Sequence, residues 1–397
     1  MHFASKAARE ARLLGLLFLI GPASVLGRAL PSNPASMFAG LAMLVIALSA
    51  AGCSSRSTSP VAEPAPAPKL LSAYGLFTGN GATQEPATGV IPYDLNTPLF
   101  SDYTLKYRFV KLPPGTSAQY HDQESFEFPI GTVIAKTFAY PNDARDPAQG
   151  QRLIETRILT HEPEGWVGRP YIWNAEQTEA TLAVAGGTRN IDWIDETGTQ
   201  QHVDNYIIPN ANQCKGCHKT DSQRMLPIGP KARNLNREFV YHDSGAPAAE
   251  NQLAHWRRVG ALSGAPAPDA APRLAVWNDP ASGSLDQRAR AWLEINCAHC
   301  HNPQGPARNS GLDLRVAQLD PYRWGVGKPP VAAGRGSAGG RFDIVPGKPD
   351  ESILALRIAS LEADVMMPEL GKRLVHKEGV ELVREWIASL PATEGTP

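Results

Sequence analysis

Residues 132–140 read TVIAKTFAY, and in them Val133, Ala135, Thr137 and Ala139 alternate with Ile134, Lys136, Phe138 and Tyr140. Period-two alternation of β-branched, aromatic and small residues predicts a strand. The same texture recurs on the C-terminal side in RLIETRILTH (152–161), GWVGRPYIW (165–173), ATLAVAG (180–186) and NIDWIDETGTQQHVDNYIIP (190–209). Within the last of these, Asp195–Gly198 (DETG) reads as a hairpin turn. The expectation for residues 70–209 is a β-sandwich-like or barrel-like domain. His121, His161 and His202 are scattered through it without catalytic spacing and read as structural or surface residues. Trp166, Trp173 and Trp193 either form an exposed docking surface for a redox partner or a saccharide, or fill the core.

The chain has 397 residues, 42% of them hydrophobic and 19% charged, which is ordinary globular material for two or three domains. Its 35 prolines and 35 glycines argue for turn-bounded strands and short helices and against a long bundle. The N-terminus carries Lys6, Arg9, Arg12 and Arg28 against Glu10 alone, followed by MFAGLAMLVIALSAAG (37–52). A basic start, a short apolar run and small residues predict an export signal over 1–52. The apolar stretch from Phe38 to Ala51 is 14 residues, short of the roughly 20 that a membrane-spanning helix needs. LSAAGC resembles a bacterial lipobox, which makes Cys53 the lipid-bearing residue and the Pro/Ala/Ser-rich stretch 53–69 a tether to the membrane. Without the first 52 residues the net charge is near −4, and no basic patch recommends nucleic acid.

Beyond Asn210 the texture changes to cysteine motifs, short helices and polar loops. CKGCH (214–218) and CAHCH (297–301) repeat one grammar. Two thiols three residues apart point to one side, where both can add to the vinyl groups of one haem, and the adjacent histidine reaches the iron. C-x-x-C-H is the c-type haem attachment signature for that reason. Paired C-x-x-C zinc sites are spaced by roughly 15–20 residues, whereas 79 residues separate Cys217 from Cys297. A thioredoxin-like redox pair gives no role to His218 or His301. Two covalent haems, held by Cys214, Cys217, Cys297 and Cys300 with His218 and His301 as proximal iron ligands, are therefore expected. Ser284 and Gln287 fit a capping box that opens a helix running into the second motif, and Leu382, Trp386 and Leu390 give the closing helix its apolar face.

These residues resemble class I cytochrome c modules. IGPKARNL (228–235) places Pro230 twelve residues after His218, where such cytochromes support the proximal histidine. The second motif is followed in order by SGLDLR (310–315), VPGKPDESILALRIAS (345–360), MMPELG (366–371) and the closing helix. The whole chain resembles a family of bacterial di-haem c-type cytochrome lipoproteins with an N-terminal β-rich domain. The resemblance implies a multi-domain β + α chain: the β-rich domain, then two mainly α-helical cytochrome c-like modules over 210–281 and 282–392. It also implies Met367 as the distal ligand of the second iron, with Met366 a core filler. For the first iron, His255, Met225 and His242 stand as candidate distal ligands. The implied function is membrane-tethered periplasmic electron transfer between a donor dehydrogenase and a cytochrome or oxidase acceptor; the alternative is a di-haem peroxidase or oxidase with an open first haem.

Overall fold

The computed structural model describes residues 66–391 apart from 221, 243–247 and 332–333. The export signal and Cys53 lie outside the described residues. No helix among the described residues is long and apolar enough to cross a membrane.

The described residues form one compact unit. Its centre is a six-stranded antiparallel sheet built from β1 (Val90–Tyr93), β2 (Leu105–Lys111), β4 (Val133–Pro141), β5 (Gln151–Glu162), β6 (Gly165–Trp173) and β7 (Ala180–Leu182), side by side in that order. The short β3 (Ala118–Gln119) lies outside this sheet and pairs in parallel with β12 (Leu262–Ser263), far along the chain. β8 (Gly187–Ile194) and β9 (Gln200–Ile208) form a hairpin closed at Asp195–Gly198, where the Gly198 N–H donates to the Asp195 carbonyl at 2.9 Å. The remaining elements are α1 (Ala211–His218), α2 (Ala232–Leu235), β10 (Glu238–Tyr241), β11 (Ala248–Asn251), α3 (Gln252–Arg258), α4 (Leu285–Asn296), α5 (Pro321–Trp324), α6 (Ile353–Ala359) and α7 (Lys377–Ser389).

Alternation along the strands divides the sheet into two buried faces. Phe109, Ala135, Ile158, Tyr171 and Trp173 pack with Leu71 and Leu76 of the N-terminal segment. Val110, Ile134 and Trp166 face the other way and pack with Met225, Leu235, Leu253, Trp256, Ala261 and Ile295, all of which follow residue 210. The β8–β9 hairpin adds a third cluster in which Tyr140 and Ile154 meet Trp193, Val203 and Tyr206. All three tryptophans, Trp166, Trp173 and Trp193, are core residues. They offer no exposed aromatic surface for docking.

The expectation of two mainly α-helical cytochrome c-like modules is corrected by this architecture. Strands take 27% of the residues and helices 25%, and the helical part is small. Over 210–281 the helices run only four to eight residues, and Pro227, Pro230, Pro266, Pro268 and Pro272 keep the stretches between and after them from being α-helical. That segment takes its core from the sheet rather than from helix packing. Only α4, α6 and α7 build a helical core, around Trp292, Ile358, Val383 and Trp386. The capping box at Ser284 and Gln287 opens α4.

Trp256 joins the halves: it is fully buried, and its ring meets Tyr93 of β1 edge-on at 5.7 Å and Phe126 at 6.1 Å. Trp256→Ala is expected to cost about 3–5 kcal/mol and to lower a single cooperative transition in chemical denaturation followed by circular dichroism. A transition that splits in two would contradict the shared core.

Candidate functional site

The first motif sits within α1. Asn210 caps that helix in a capping box with Gln213: the Gln213 N–H donates to the Asn210 side chain at 2.8 Å, and the Gln213 side chain accepts from the Asn210 N–H at 2.9 Å. Helical spacing puts the Cys214 and Cys217 thiols on one side. α1 lies tightly on β6, where a Cβ on Gly168 would stand 2.9 Å from the Cβ of Cys214. The second motif follows α4 directly, in a turn where the Cys300 and His301 N–H groups both donate to the Cys297 carbonyl, at 3.1 and 2.9 Å.

Both motifs open onto one cavity. Cys214, Cys217, His218, Cys297, His299, Cys300, His301 and Met367 all line it, and its apolar walls come from the sheet, the segment after β1, α4 and the loop before α7. The Cys217 and Cys300 thiols and one His299 ring nitrogen lie within 4.8 Å of one another, although 78 residues separate the two motifs. Spacing along the chain thus does not by itself dismiss a metal shared between them. The free volume is about 270 Å³, below the usual 300–1,000 Å³ or so of small-molecule pockets. Two haems therefore require the walls to separate where Cys217 and Cys300 touch.

Hydrogen bonds set the tautomer of both motif histidines, His218 and His301. His218 Nδ1 is 2.7 Å from the Leu226 carbonyl, which only accepts, so Nδ1 carries the proton. His301 Nδ1 is 3.0 Å from Ser310 Oγ. That hydroxyl already donates to the Ala307 carbonyl at 2.8 Å, so it accepts from His301. In each ring the lone pair is left on Nε2, as iron ligation requires. Burial holds both rings neutral, with pKa values lowered to about 4. Burial also raises the Cys214 thiol, and it pushes Cys297 up to about 12. Cys217 and Cys300 titrate as a pair: the neighbouring S–H and His299 ease loss of the first proton, and burial with the charge already present opposes loss of the second.

Met367 lines the cavity and Met366 does not. Of the three further candidates, His242 and His255 do not line this cavity, whereas Met225 lies beside the first motif: a Cβ on Gly168 would stand 3.4 Å from Met225 Cε and 3.1 Å from Cys214 Sγ. Met225 packs into the core beside Gly168 and Trp166. His242 and His255 line a different cleft, which shares only Tyr93 and Arg108 with this cavity, and the His255 ring stacks on Tyr241 beside Glu250. His202 is exposed, His121 is half-buried, and His161 stacks on Trp166.

Sequence reasoning passed over four groups in the wall: Arg108, Lys136 and Arg157 from the sheet, and His376. A charged residue at a core-facing position of an alternating strand was the available signal for the first three. His376 stacks on Phe100 at 4.3 Å and accepts from Trp292 Nε1–H at 3.0 Å on Nδ1, which leaves its proton on Nε2.

No protein-family model, curated protein or solved structure matches this chain. Assignment of the site rests on its own geometry and donor chemistry.

Burial lowers the pKa of His376 to about 4, against about 6.5 in an unfolded chain. Between those values the unfolded state binds more protons, so native stability falls as pH drops from about 6.5 towards 4. The expected loss is on the order of 2–3 kcal/mol. Denaturation midpoints at pH 7 and pH 4 check it: wild type should lose this increment relative to His376→Gln, which keeps an acceptor for Trp292 but does not titrate. Parallel pH profiles would contradict it.

Proposed function

We propose that this chain is a c-type cytochrome that holds two covalent haems in one cavity and passes single electrons between redox protein partners in the bacterial periplasm, tethered to the membrane through lipid at Cys53. The observation that carries the proposal is the convergence of two complete C-x-x-C-H motifs, with both histidines presenting Nε2 lone pairs, on a single apolar cavity. When bound, haem supplies a one-electron iron centre whose potential is set by axial ligands, hydrogen bonding and burial. Cys214 and Cys217 hold one group and Cys297 and Cys300 the other, each by adding an S–H across a vinyl double bond. His218 and His301 would ligate the irons through Nε2, held in orientation by the Leu226 carbonyl and the Ser310 hydroxyl. Met367 offers a thioether to the second iron. The apolar wall keeps water from the pair, and a donor dehydrogenase and a cytochrome or oxidase acceptor are the partners such a carrier serves.

Peroxidase chemistry calls for an acid–base group beside the iron; the cavity offers His299 and His376 for that role and, among its described lining residues, no aspartate or glutamate. The Cys217–His299–Cys300 cluster favours a second reading, a bound zinc ion. Structural zinc takes four ligands; this group offers three and leaves Cys214, Cys297, His218 and His301 without a role.

Intact-mass measurement of the protein made in a host that attaches haem c separates the two. The expected mass is the chain plus two haems, with one haem lost in the Cys297→Ala/Cys300→Ala variant. A bare polypeptide, or one carrying only zinc, would overturn the proposal.

A further inference from the structure

The sheet face that walls the cavity carries a row of cations that nearby acids do not balance. Arg108 on β2, Lys136 on β4 and Arg157 on β5 are direct cross-strand partners, and all three line the cavity. Like charges side by side on neighbouring strands repel, and a buried charge is costly unless paired. The outer two have partners: Arg108 meets Asp94 at 2.6 Å, and Arg157 makes two bonds to Glu155, at 2.5 and 2.9 Å. Lys136, in the middle, has no hydrogen bond or ion pair among the described residues; its Nζ lies 4.7 Å from the centre of the Phe138 ring. Arg108 is 4% exposed, and its Nη2 is buried without a partner. Lys372 adds a fourth cation to the wall. Such a wall is built to receive an anion.

We propose that Arg108 and Lys136 seat a propionate carboxylate of the haem attached through Cys214 and Cys217, an inference that rests on the haem assignment above. Cys214 lies against Gly168 on β6, beside the Arg157 end of the row. From β6 the sheet runs across β5 and β4 to β2, three strand spacings or about 14 Å. A haem joined through its vinyl edge carries its propionates on the opposite edge, so the carboxylates belong at the end of the row away from Cys214. Arg157 stands at the thioether end and is already paired with Glu155 through two bonds. At the far end, Arg108 Nη2 and Lys136 Nζ are the donors left over, and a carboxylate accepts strong charge-assisted bonds from both. The β-rich part of the chain is thereby a wall of the haem site rather than a separate binding module.

The test uses the holoprotein with Lys136→Met, which keeps the length of the side chain and removes its charge, and with Lys136→Arg, which restores the charge. Intact mass should show two haems in all three proteins. At neutral pH the midpoint potential of one haem should fall in Lys136→Met, because a cation favours the more negative ferrous state, and should return towards wild type in Lys136→Arg. The propionate-bending band in the resonance Raman spectrum should shift in Lys136→Met, while the electron paramagnetic resonance g-values of both irons stay put. Unchanged potentials and Raman bands with two haems attached would overturn this inference alone. Altered g-values in Lys136→Met would overturn it by making Lys136 an iron ligand. A wild-type chain without haem would remove the proposed function and this inference together.

Discussion

The connection between β1 and β2, residues 94–104, is the constraint on which the rest of the molecule depends. Asn96 Nδ2 donates to the Arg233 and Asn236 carbonyls, and Thr97 Oγ1 donates to the Ala275 carbonyl. The Phe100 N–H donates to Asn296 Oδ1 at the end of α4. The Asp102 carboxylate accepts from the Arg373 and Leu374 N–H groups, and the Tyr103 hydroxyl donates to Glu378. One loop thus grips all three later parts of the chain. Asn96, Thr97 and Asp102 are themselves buried, so losing any of these partners strands polar groups away from water, at about 1–3 kcal/mol each. Because Leu95, Leu99, Phe100 and Ser101 also line the cavity, the grip that closes the fold is the grip that shapes the site.

That arrangement explains how a β-dominated chain can bring two distant C-x-x-C-H motifs together. A sheet with both faces covered has no solvent side, so the segment after residue 210 has to pack on it. α1 is set against β6 by the missing side chain of Gly168, and α4 is held by Phe100, so Cys217 and Cys300 meet across the cavity. Electrostatics follow from the same placement. Strand register puts cations where a purely apolar wall would be more stable, and the burial that results holds Lys136 well below the ordinary lysine range, with Arg108, Lys106 and Arg157 adding repulsion.

Much of the local structure was legible in the sequence, because local structure depends on neighbours. The alternation of TVIAKTFAY became β4, DETG closed a hairpin, and Ser284 with Gln287 capped α4. Reading two mainly helical modules failed because the spacing of a motif was extended to a whole fold. The helices of 210–281 are short, and the apolar residues meant for a helical core pack on the sheet. Long-range placement was not legible. Nothing in 82 intervening residues announces that Cys217 and Cys300 touch, and His255, on a short helix with helical spacing, is carried by the β10–β11 hairpin into a different cleft. Lys136 sat in plain view in the decisive strand, and only cross-strand register reveals its place between two arginines.

The central claim is that both motifs serve one cavity, with Cys217 and Cys300 at its middle. Electron paramagnetic resonance of the fully oxidised holoprotein, compared with the half-reduced form during a potentiometric titration, tests it most directly. Haems attached to adjacent cysteines should be magnetically coupled, so the oxidised spectrum should differ from the sum of two isolated low-spin centres and simplify once one iron is reduced. A spectrum that is the plain sum of two independent haems at every potential would contradict the account.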